Sequence, residues 1–351
     1  MTVFHICVDS GRPNGIVSVL KTLSLKQIEY GLQVRVFSTL RGDFERIESI
    51  KSFRSILVNN KPDLVVFHSL YYISYIRIAS ILKRLRIPYA IELHGALSKA
   101  NFQKGKLKKW LVNQLCFNKF IKRAKSIIYL NKNEYNNSIV SLINPNSEII
   151  PNGCHPVDGS RVKTESGKEL IEILYVGRIA RHHKGLDVLL EAIGILLNSS
   201  LKGKIKFSFY GDGHQDDMEW FLQMISKLSD MVEYKGVLHG EQKTITMLNA
   251  DLFVLTSRYE GMPMGVLEAL SCGLPCLLTA ETNMGEEVVE ANAGWLTLLD
   301  VDEVAKMIEI AVKQYSVNTE QFHLNAWLLS KQYSWDKVAK DSIEKYSRIL
   351  S

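Results

Sequence analysis

SRYEGMPMGVLEALSCGLP, Ser257–Pro275, follows directly on the apolar run Leu252–Thr256. A short β-rich run, a turn punctuated by glycine and an apolar stretch with helical spacing read as strand, turn and helix in succession. Pro263 suits the first helical position, because it lacks only an amide hydrogen that would be unpaired there anyway. The helix then covers Met264–Ser271, and Pro275–Thr279 opens the next strand. This is a βαβ unit, which predicts a parallel sheet with helices on both faces and puts the turn at the carboxyl end of a strand.

The same rhythm runs through the rest of the chain. Toward the N-terminus, strands are expected at Val3–Val8, Gln33–Ser38, Asp63–His68, Tyr89–Leu93 and Ser126–Leu130, separated by helices at Gly15–Tyr30, Phe44–Asn59, Ile73–Leu85 and Leu107–Ala124. Asn152, Gly153, Pro156, Gly159 and Gly167 then punctuate a polar segment that reads as a linker. Beyond it the alternation restarts, with strands at Glu172–Val176, Ile205–Tyr210 and Val232–Lys235 and helices at Leu186–Leu197, Met218–Leu228, Gln242–Leu248 and Val301–Gln314. Two further helical stretches, Gln321–Lys331 and Trp335–Ile349, close the chain. The fold expected is α/β, with two facing doubly wound, Rossmann-like domains. Open parallel sheets bind ligands at the carboxyl ends of their strands where strand order reverses, so the crevice between two such sheets is the expected active site.

Composition agrees with two domains. The 351 residues are 46% hydrophobic, enough for two cores. No run approaches the roughly 18 apolar residues of a membrane span, and the N-terminus reads as a strand without a basic leader, so a cytoplasmic location is expected. Cys7, Cys116, Cys154, Cys272 and Cys276 are odd in number and include no CxxC pair, which supports neither a disulfide framework nor a zinc site. The net charge of +6 is unevenly spread, +14 over residues 1–155 and −8 over residues 156–351. Residues 93–133 hold ten Lys or Arg and no acid, which points to an anionic membrane surface or an acidic acceptor, with a solvated face as the bland alternative.

The helix start at Pro263 leaves the amides of Met264 and Gly265 free at the positive end of a helix dipole, a seat for a diphosphate. Glu260 lies in the turn to one side, and Glu268 about one turn, roughly 5–6 Å, into the helix. Carboxylates so placed can grip hydroxyls on either side of a diphosphate, as a nucleotide sugar presents them. Spacing alone also allows both to cap or solvate an exposed helix start. A second motif weighs on the choice: YVGRIARHHKGLDVLLEAI sets Gly177 and Arg178 after a strand and Lys184 just before a helix. Two cations at one strand end suit a leaving diphosphate as its charge develops. His182 and His183 in the same loop read as spacers, since nothing in the sequence supplies an orienting partner.

These stretches, with the FYGDG turn at Phe209–Gly213, resemble the C-terminal donor domain of retaining GT-B glycosyltransferases of family 4, also called group 1. IIPNG at Ile149–Gly153 is similar to the family's interdomain signature, and YSWDKVAKDSIEKY at Tyr333–Tyr346 to its terminal helix, which crosses back onto the N-terminal domain. The resemblance implies an acceptor-binding domain over residues 1–155, a nucleotide-sugar donor domain over 168–330 and a returning helix over 331–351. It implies that Glu268 holds the ribose hydroxyls and that Glu260 contacts the transferred sugar. Arg178 and Lys184 would bind the diphosphate, with Gly177, Gly261, Met262, Met264 and Gly265 around it. PNGIVSVL at Pro13–Leu20 stands where the family has a glycine-rich loop, so Gly15 would let backbone approach the phosphates. Asn14 replaces one of the family's two adjacent glycines. ELHG at Glu92–Gly95 resembles the family's strand-end histidine motif and makes His94 the candidate at the reacting centre; a core histidine is the alternative. His68, closing PDLVVFH, is a weaker candidate of the same kind.

The activity implied is retaining transfer of a sugar, most simply from a UDP-sugar, to a saccharide or lipid-linked saccharide in capsule, O-antigen or lipopolysaccharide synthesis. No DxD triplet of the kind that holds a divalent ion in the other glycosyltransferase fold stands among these motifs, and with Arg178 and Lys184 to supply positive charge neither a metal nor a cofactor is expected. In KGKLKKWLVNQLCFNKFIKRAK, Lys104–Lys125, the cations Lys104, Lys106, Lys108, Lys109, Lys119, Lys122 and Arg123 accompany Trp110, Leu111, Leu115, Phe117, Phe120 and Ile121. An interfacial helix on the inner face of the cytoplasmic membrane would use them so, and a helix with its apolar stripe in the core would look the same. A nucleotide-sugar epimerase, a non-catalytic protein that only binds the donor and a nucleic-acid-binding protein remain as rivals, although no helix-turn-helix or aromatic-interleaved basic sheet is seen.

Overall fold

The computed structural model describes residues 1–11, 15–95, 117–159, 162 and 169–351. Lys104, Lys106, Lys108, Lys109, Trp110, Leu111 and Leu115, and most of the helix expected over Leu107–Ala124, lie outside them. The chain forms two compact units, one of Met1–Gly153 with Trp335–Ser351, the other of Cys154–Ser334.

The first unit is built on seven strands: β1 (Thr2–Cys7), β2 (Gln33–Ser38), β3 (Glu45–Arg46), β4 (Leu64–His68), β5 (Tyr89–Glu92), β6 (Ser126–Tyr129) and β7 (Ser147–Ile149). All pairs are parallel, in the order β3-β2-β1-β4-β5-β6-β7. Every residue of β4 is buried, as expected where helices cover both faces. Phe67 anchors the aromatic core, 4.9 Å from Tyr75, 5.5 Å from Tyr89 and 5.2 Å from Phe120 between ring centroids. Phe117, Phe120 and Ile121 are buried in this core, whereas Lys119, Lys122 and Arg123 are exposed. For that part of the basic segment the core reading of the apolar stripe therefore holds.

The second unit carries β8 (Ile171–Val176), β9 (Ile205–Tyr210), β10 (Val232–Tyr234), β11 (Leu252–Leu255), β12 (Cys276–Thr279) and β13 (Gly294–Thr297), again all parallel. Its order, β10-β9-β8-β11-β12-β13, reverses between β8 and β11. Both are the strands whose following loops carry the phosphate-suited motifs. Sheet order thus sets those loops side by side at the switch point.

The C-terminal helix Trp335–Leu350 belongs to the first unit, the return expected of it. Tyr30 donates to Asp336 at 2.9 Å, and Lys26 pairs with the same carboxylate at 3.1 Å. Gly153 lies against the Trp335 ring, where a Cβ would come within 2.4 Å of ring carbons; the Asn-Gly of the expected linker is a seat for this helix.

Three expectations need correction. The helix over Phe44–Asn59 begins only at Ile50, because Ser49 caps it, accepting at 3.0 Å from the Ser52 amide, and Glu45–Arg46 pair with β2 as a strand. Pro263 is the N-cap residue, with extended ψ of 122°, and Met264 is the first helical residue. The stretches Val301–Gln314 and Gln321–Lys331 are, as expected, two helices, which meet within Val301–Lys331 at Asn318, whose φ of −129° and ψ of 37° are not helical. The strands β7 and β13 were not expected; each is three or four residues long, too short to show a period. No helix among the described residues is long and apolar enough to cross a membrane.

Candidate functional site

The loop after β8 is held down by its neighbours. The Gly177 amide donates to Tyr210 O at 3.0 Å, the Ile179 amide to Asp212 O at 2.8 Å, and the Tyr175 hydroxyl to Arg178 O at 2.8 Å. Gly185, φ +62°, ends the loop with its α-carbon pressed on Thr256, whose carbonyl oxygen would lie 1.9 Å from any Cβ. Only glycine lets the Lys184 backbone approach the end of β11 so closely.

That approach brings the two loops into one polar network. Lys184 Nζ is 2.6 Å from Glu260 Oε1, and the Ser257 hydroxyl donates to the same oxygen at 2.7 Å. The Glu260 backbone is fixed at both ends, its amide on Glu281 O at 3.0 Å and its carbonyl accepting from Asn283 at 2.6 Å. Both charged side chains are largely buried, 15% and 12% exposed, so their attraction is little screened by water. Arg258 lies beside them in a bidentate pair with Asp187, at 2.7 and 2.9 Å.

His183 is a correction to its reading as a spacer. Its Nε2 donates to Tyr259 O at 3.0 Å, so Nδ1 is the bare nitrogen and accepts from Arg178 Nη2 at 2.7 Å. The ring stacks on Tyr259 with centroids 4.2 Å apart. Burial depresses its pKa, against the opposing pull of Glu260, which keeps the imidazole neutral and able to accept. His183 thus aims the Arg178 guanidinium. The partner that orients it is a backbone carbonyl 76 positions away, which no local pattern could announce.

Beside this network the helix Met264–Ser271 begins with no side-chain cap, so the first amides, those of Met264 and Gly265, have no partner inside the helix. Glu268 is further along the same helix and is in close contact with Lys243 Nζ of the helix Gly240–Asn249, a partner not foreseen in the sequence. Gly261 and Met262 sit in the turn between, Met262 buried and Gly261 half-buried. Arg178, Lys184 and Glu260 are therefore in one network, with Glu268 on the adjoining helix; Gly15 and His94 belong to the other unit.

In the first unit, Gly15 opens the helix Gly15–Glu29, next to residues outside the description. His94 follows β5 in a left-handed conformation, φ +51°, sparsely populated for a residue with a side chain. The buried Glu134 stabilises that turn, one carboxylate oxygen accepting from the Gly95 amide and the other from the Leu130 amide, both at 2.6 Å. NKNE, Asn131–Glu134, carries a capping signature, and Asn131 does accept from the Glu134 amide at 2.7 Å. His68 and His94 lie side by side at the ends of β4 and β5, His68 Nδ1 2.9 Å from His94 Nε2. With Glu92 they are the one group among the described residues whose composition suits a metal ion, one atom from each lying within 4.8 Å of the others.

Glu92 is fully buried, and burial, reinforced by the charge of Glu134, pushes its pKa from 4.5 to about 8. The folded chain therefore keeps a proton that the unfolded chain releases above the ordinary value. Stability attributable to this group is full below about pH 4.5 and is lost as pH rises to about 8, a difference on the order of 3–5 kcal/mol. Glu92→Gln should be insensitive over that window. The difference in unfolding free energy between wild type and variant, followed by denaturant titration from pH 5 to 8.5, should move in favour of the variant; a flat difference would contradict the protonated carboxyl.

Two doubly wound α/β units, with the last helix returning to the first, define the GT-B fold class, and a solved structure agrees. The Anabaena HepE protein in complex with UDP superimposes with a TM-score of 0.77 at 18% identity, over 99% of this chain and 100% of that one. Residues 158–321, a little under half of the chain, match the model of the glycosyl transferases group 1. Among curated relatives, one of the subunits of phosphatidylinositol N-acetylglucosaminyltransferase from Arabidopsis thaliana is 28% identical over 205 residues, 58% of this chain and 44% of that protein. O-antigen chain mannosyltransferase B of Escherichia coli is 28% identical over 175 residues, 49% of this chain and 45% of that protein. The chain thus spans under half the length of either relative.

Proposed function

We propose that this chain transfers a sugar from a nucleoside-diphosphate donor to a hydroxyl of a saccharide or lipid-linked saccharide. The observation that carries the reading is the network of Arg178, His183, Lys184, Ser257 and Glu260 beside an uncapped helix start, at the switch point of the second sheet. In this reading the second unit is the donor domain. Arg178, Lys184 and the Met264 and Gly265 amides take the diphosphate, Glu260 the sugar and Glu268 the ribose, with Gly177, Gly261 and Met262 shaping the site. His94, with the Gly15 helix start, is the contribution of the first unit, the acceptor domain. The match of residues 158–321 to the glycosyl transferases group 1 supports the class of reaction, the UDP bound to HepE supports a UDP-sugar, and the O-antigen relative supports a role in surface polysaccharide synthesis.

The chemistry is displacement at the anomeric carbon. The acceptor oxygen forms a bond to that carbon as the bond to the diphosphate oxygen breaks, and the acceptor's proton passes to the departing phosphate on the same face, giving retention. Two positioned cations and peptide amides stabilise the charge that develops on the leaving group. Such a site asks for no divalent ion, and transfer is expected to survive EDTA. Incubation with UDP-sugars tests the reading: sugar should remain on the nucleotide until a saccharide acceptor is added, and the new linkage should keep the anomeric configuration by NMR. Epimerised donor without acceptor would replace the reading with that of an isomerase, and an inverted linkage would reject the retaining course.

The basic segment supports attachment to an anionic membrane surface, where lipid-linked acceptors lie. Because Phe117, Phe120 and Ile121 are buried, this attachment rests on charge from Lys119, Lys122 and Arg123 and on residues 104–110. The chain should sediment with phosphatidylglycerol vesicles and be released as salt rises. Indifference to such vesicles would remove membrane attachment from the account without touching the donor site.

A further inference from the structure

One buried line of side chains in the first unit is not used by the reaction as derived. It starts on the C-terminal helix, where the Ser342 hydroxyl donates to Ala339 O at 2.7 Å. Gln27 Nε2 donates to Ser342 Oγ at 2.9 Å, and Gln27 Oε1 lies 3.1 Å from His5 Nε2. His5 Nδ1 is 2.8 Å from His68 Nε2, and His68 Nδ1 is 2.9 Å from His94 Nε2. Ser342, Gln27, His5 and His68 are at most 1% exposed. Burial keeps all three imidazoles neutral, lowering the pKa of His5 to about 4, of His68 well below its ordinary value, and of His94 to about 3.

A neutral imidazole has one donor and one acceptor, so along this line three of them have two self-consistent polarities; Glu92 flanks its end, Oε1 3.2 Å from His94 Nε2 and Oε2 3.4 Å from His68 Nδ1, and an acceptor at that place favours a protonated His94 Nε2. Ala339 O takes the Ser342 proton, which leaves Ser342 Oγ to accept from the Gln27 amide nitrogen. Gln27 then turns its carbonyl to His5, which must donate from Nε2. His5 Nδ1 is bare and accepts from His68 Nε2, and His68 Nδ1 in turn accepts from His94 Nε2. The reverse polarity requires Ser342 to give up Ala339 and donate to a flipped Gln27, and it would end on a protonated His94 Nδ1.

We infer that Ser342 and Gln27 set the tautomer of His94 through His5 and His68, so that His94 offers a bare Nδ1 as acceptor to a hydroxyl of the transferred sugar. Placing that hydroxyl at His94 rests on the proposed function; the polarity of the line does not. His94 is then the catalytic residue, and His68, His5, Gln27 and Ser342 are positioning residues, the last of them on a helix that enters the unit from the far end of the sequence. A metal ion on the His94, His68 and Glu92 group is the competing use. Tetrahedral bonds of about 2.0–2.1 Å separate ligands by about 3.3 Å and need His94 Nε2 bare. The two nitrogens are 2.9 Å apart, the spacing of a hydrogen bond with a proton between them.

The test combines nitrogen-15 NMR of histidine-labelled protein with kinetics. In the wild type, His94 should show a protonated Nε2 and an unprotonated Nδ1. Ser342→Ala and Gln27→Leu should shift His94 toward the Nδ1-protonated form and lower kcat about tenfold, one hydrogen bond's worth, with the KM for the donor unchanged. Ser342→Thr, which keeps the hydroxyl, should restore both. A wild-type His94 protonated at Nδ1, a tautomer unmoved in both variants, or stoichiometric zinc binding that disappears in His94→Ala would each overturn the inference. A tautomer that moves as expected in a protein that transfers no sugar would instead overturn the proposed function and leave the line standing.

Discussion

Lys184→Ala is expected to lower kcat/KM for the nucleotide sugar by about 10²- to 10³-fold, the range found when one preorganised donor to a developing anion is removed. Two effects act together. The leaving diphosphate loses a cation, and Glu260, 2.6 Å from Lys184 and 12% exposed, loses the charge that balances it. Lys184→Arg keeps the charge but not the compact point geometry, so its loss should be intermediate. Glu260→Gln separates the contributions: it keeps a partner for Ser257 and leaves Lys184 to the diphosphate, so donor binding should survive while transfer falls. Steady-state kinetics with a thermal melt of each variant would check this. A Lys184→Ala enzyme within about threefold of wild type would show that the network is not on the reaction path.

The second large effect is on stability. Gly211→Ala should destabilise the protein by more than about 4 kcal/mol and lower Tm by roughly 10 °C. Gly211 has φ +149°, and a Cβ there would lie 1.8 Å from Gly177 O and 2.8 Å from Gly177 C. The obstacle is backbone, and it is pinned: the Gly177 amide donates to Tyr210 O and the Gly211 amide to Gly236 O, at 3.0 and 2.8 Å. Relief must therefore displace the Gly177–Arg178 turn, and nucleotide affinity should fall with stability. Gly203→Ala is the control. It too has positive φ, +77°, but no atom within 4 Å of the added carbon, so only the conformational strain of about 1 kcal/mol remains. Equal melting points for the two variants would contradict the interlocked loops.

What was legible in the sequence follows from the range of the forces involved. The strands that carry the site were read to within a residue or two, because buried parallel strands are continuous apolar runs and the turns after them carry glycine and charge; Ile205–Tyr210 coincides with β9, and Met264–Ser271 with its helix. Gly294–Thr297 escaped because four residues opening on a glycine show neither run nor alternation. The helix expected from Phe44 failed on a cap, since Ser49 and Ser52 stop it from extending backward. In the site, the residue types at the two loops could be read, but their partners could not. Lys243 meets Glu268 from 25 positions away, and Gln27 meets Ser342 across 315. His183 illustrates the cost: a histidine without a local partner was read as a spacer, and the fold supplies the partner from the next motif.

The central claim is that Arg178 and Lys184 hold a nucleoside diphosphate, and calorimetric titration of the protein with a panel of nucleoside diphosphates measures it most directly. The account predicts saturable binding of at least one of them to the wild type and its loss in the Arg178→Ala, Lys184→Ala double variant, whose melting should otherwise stay cooperative. Heat of binding that is absent for every diphosphate, or undiminished in the double variant, would contradict it.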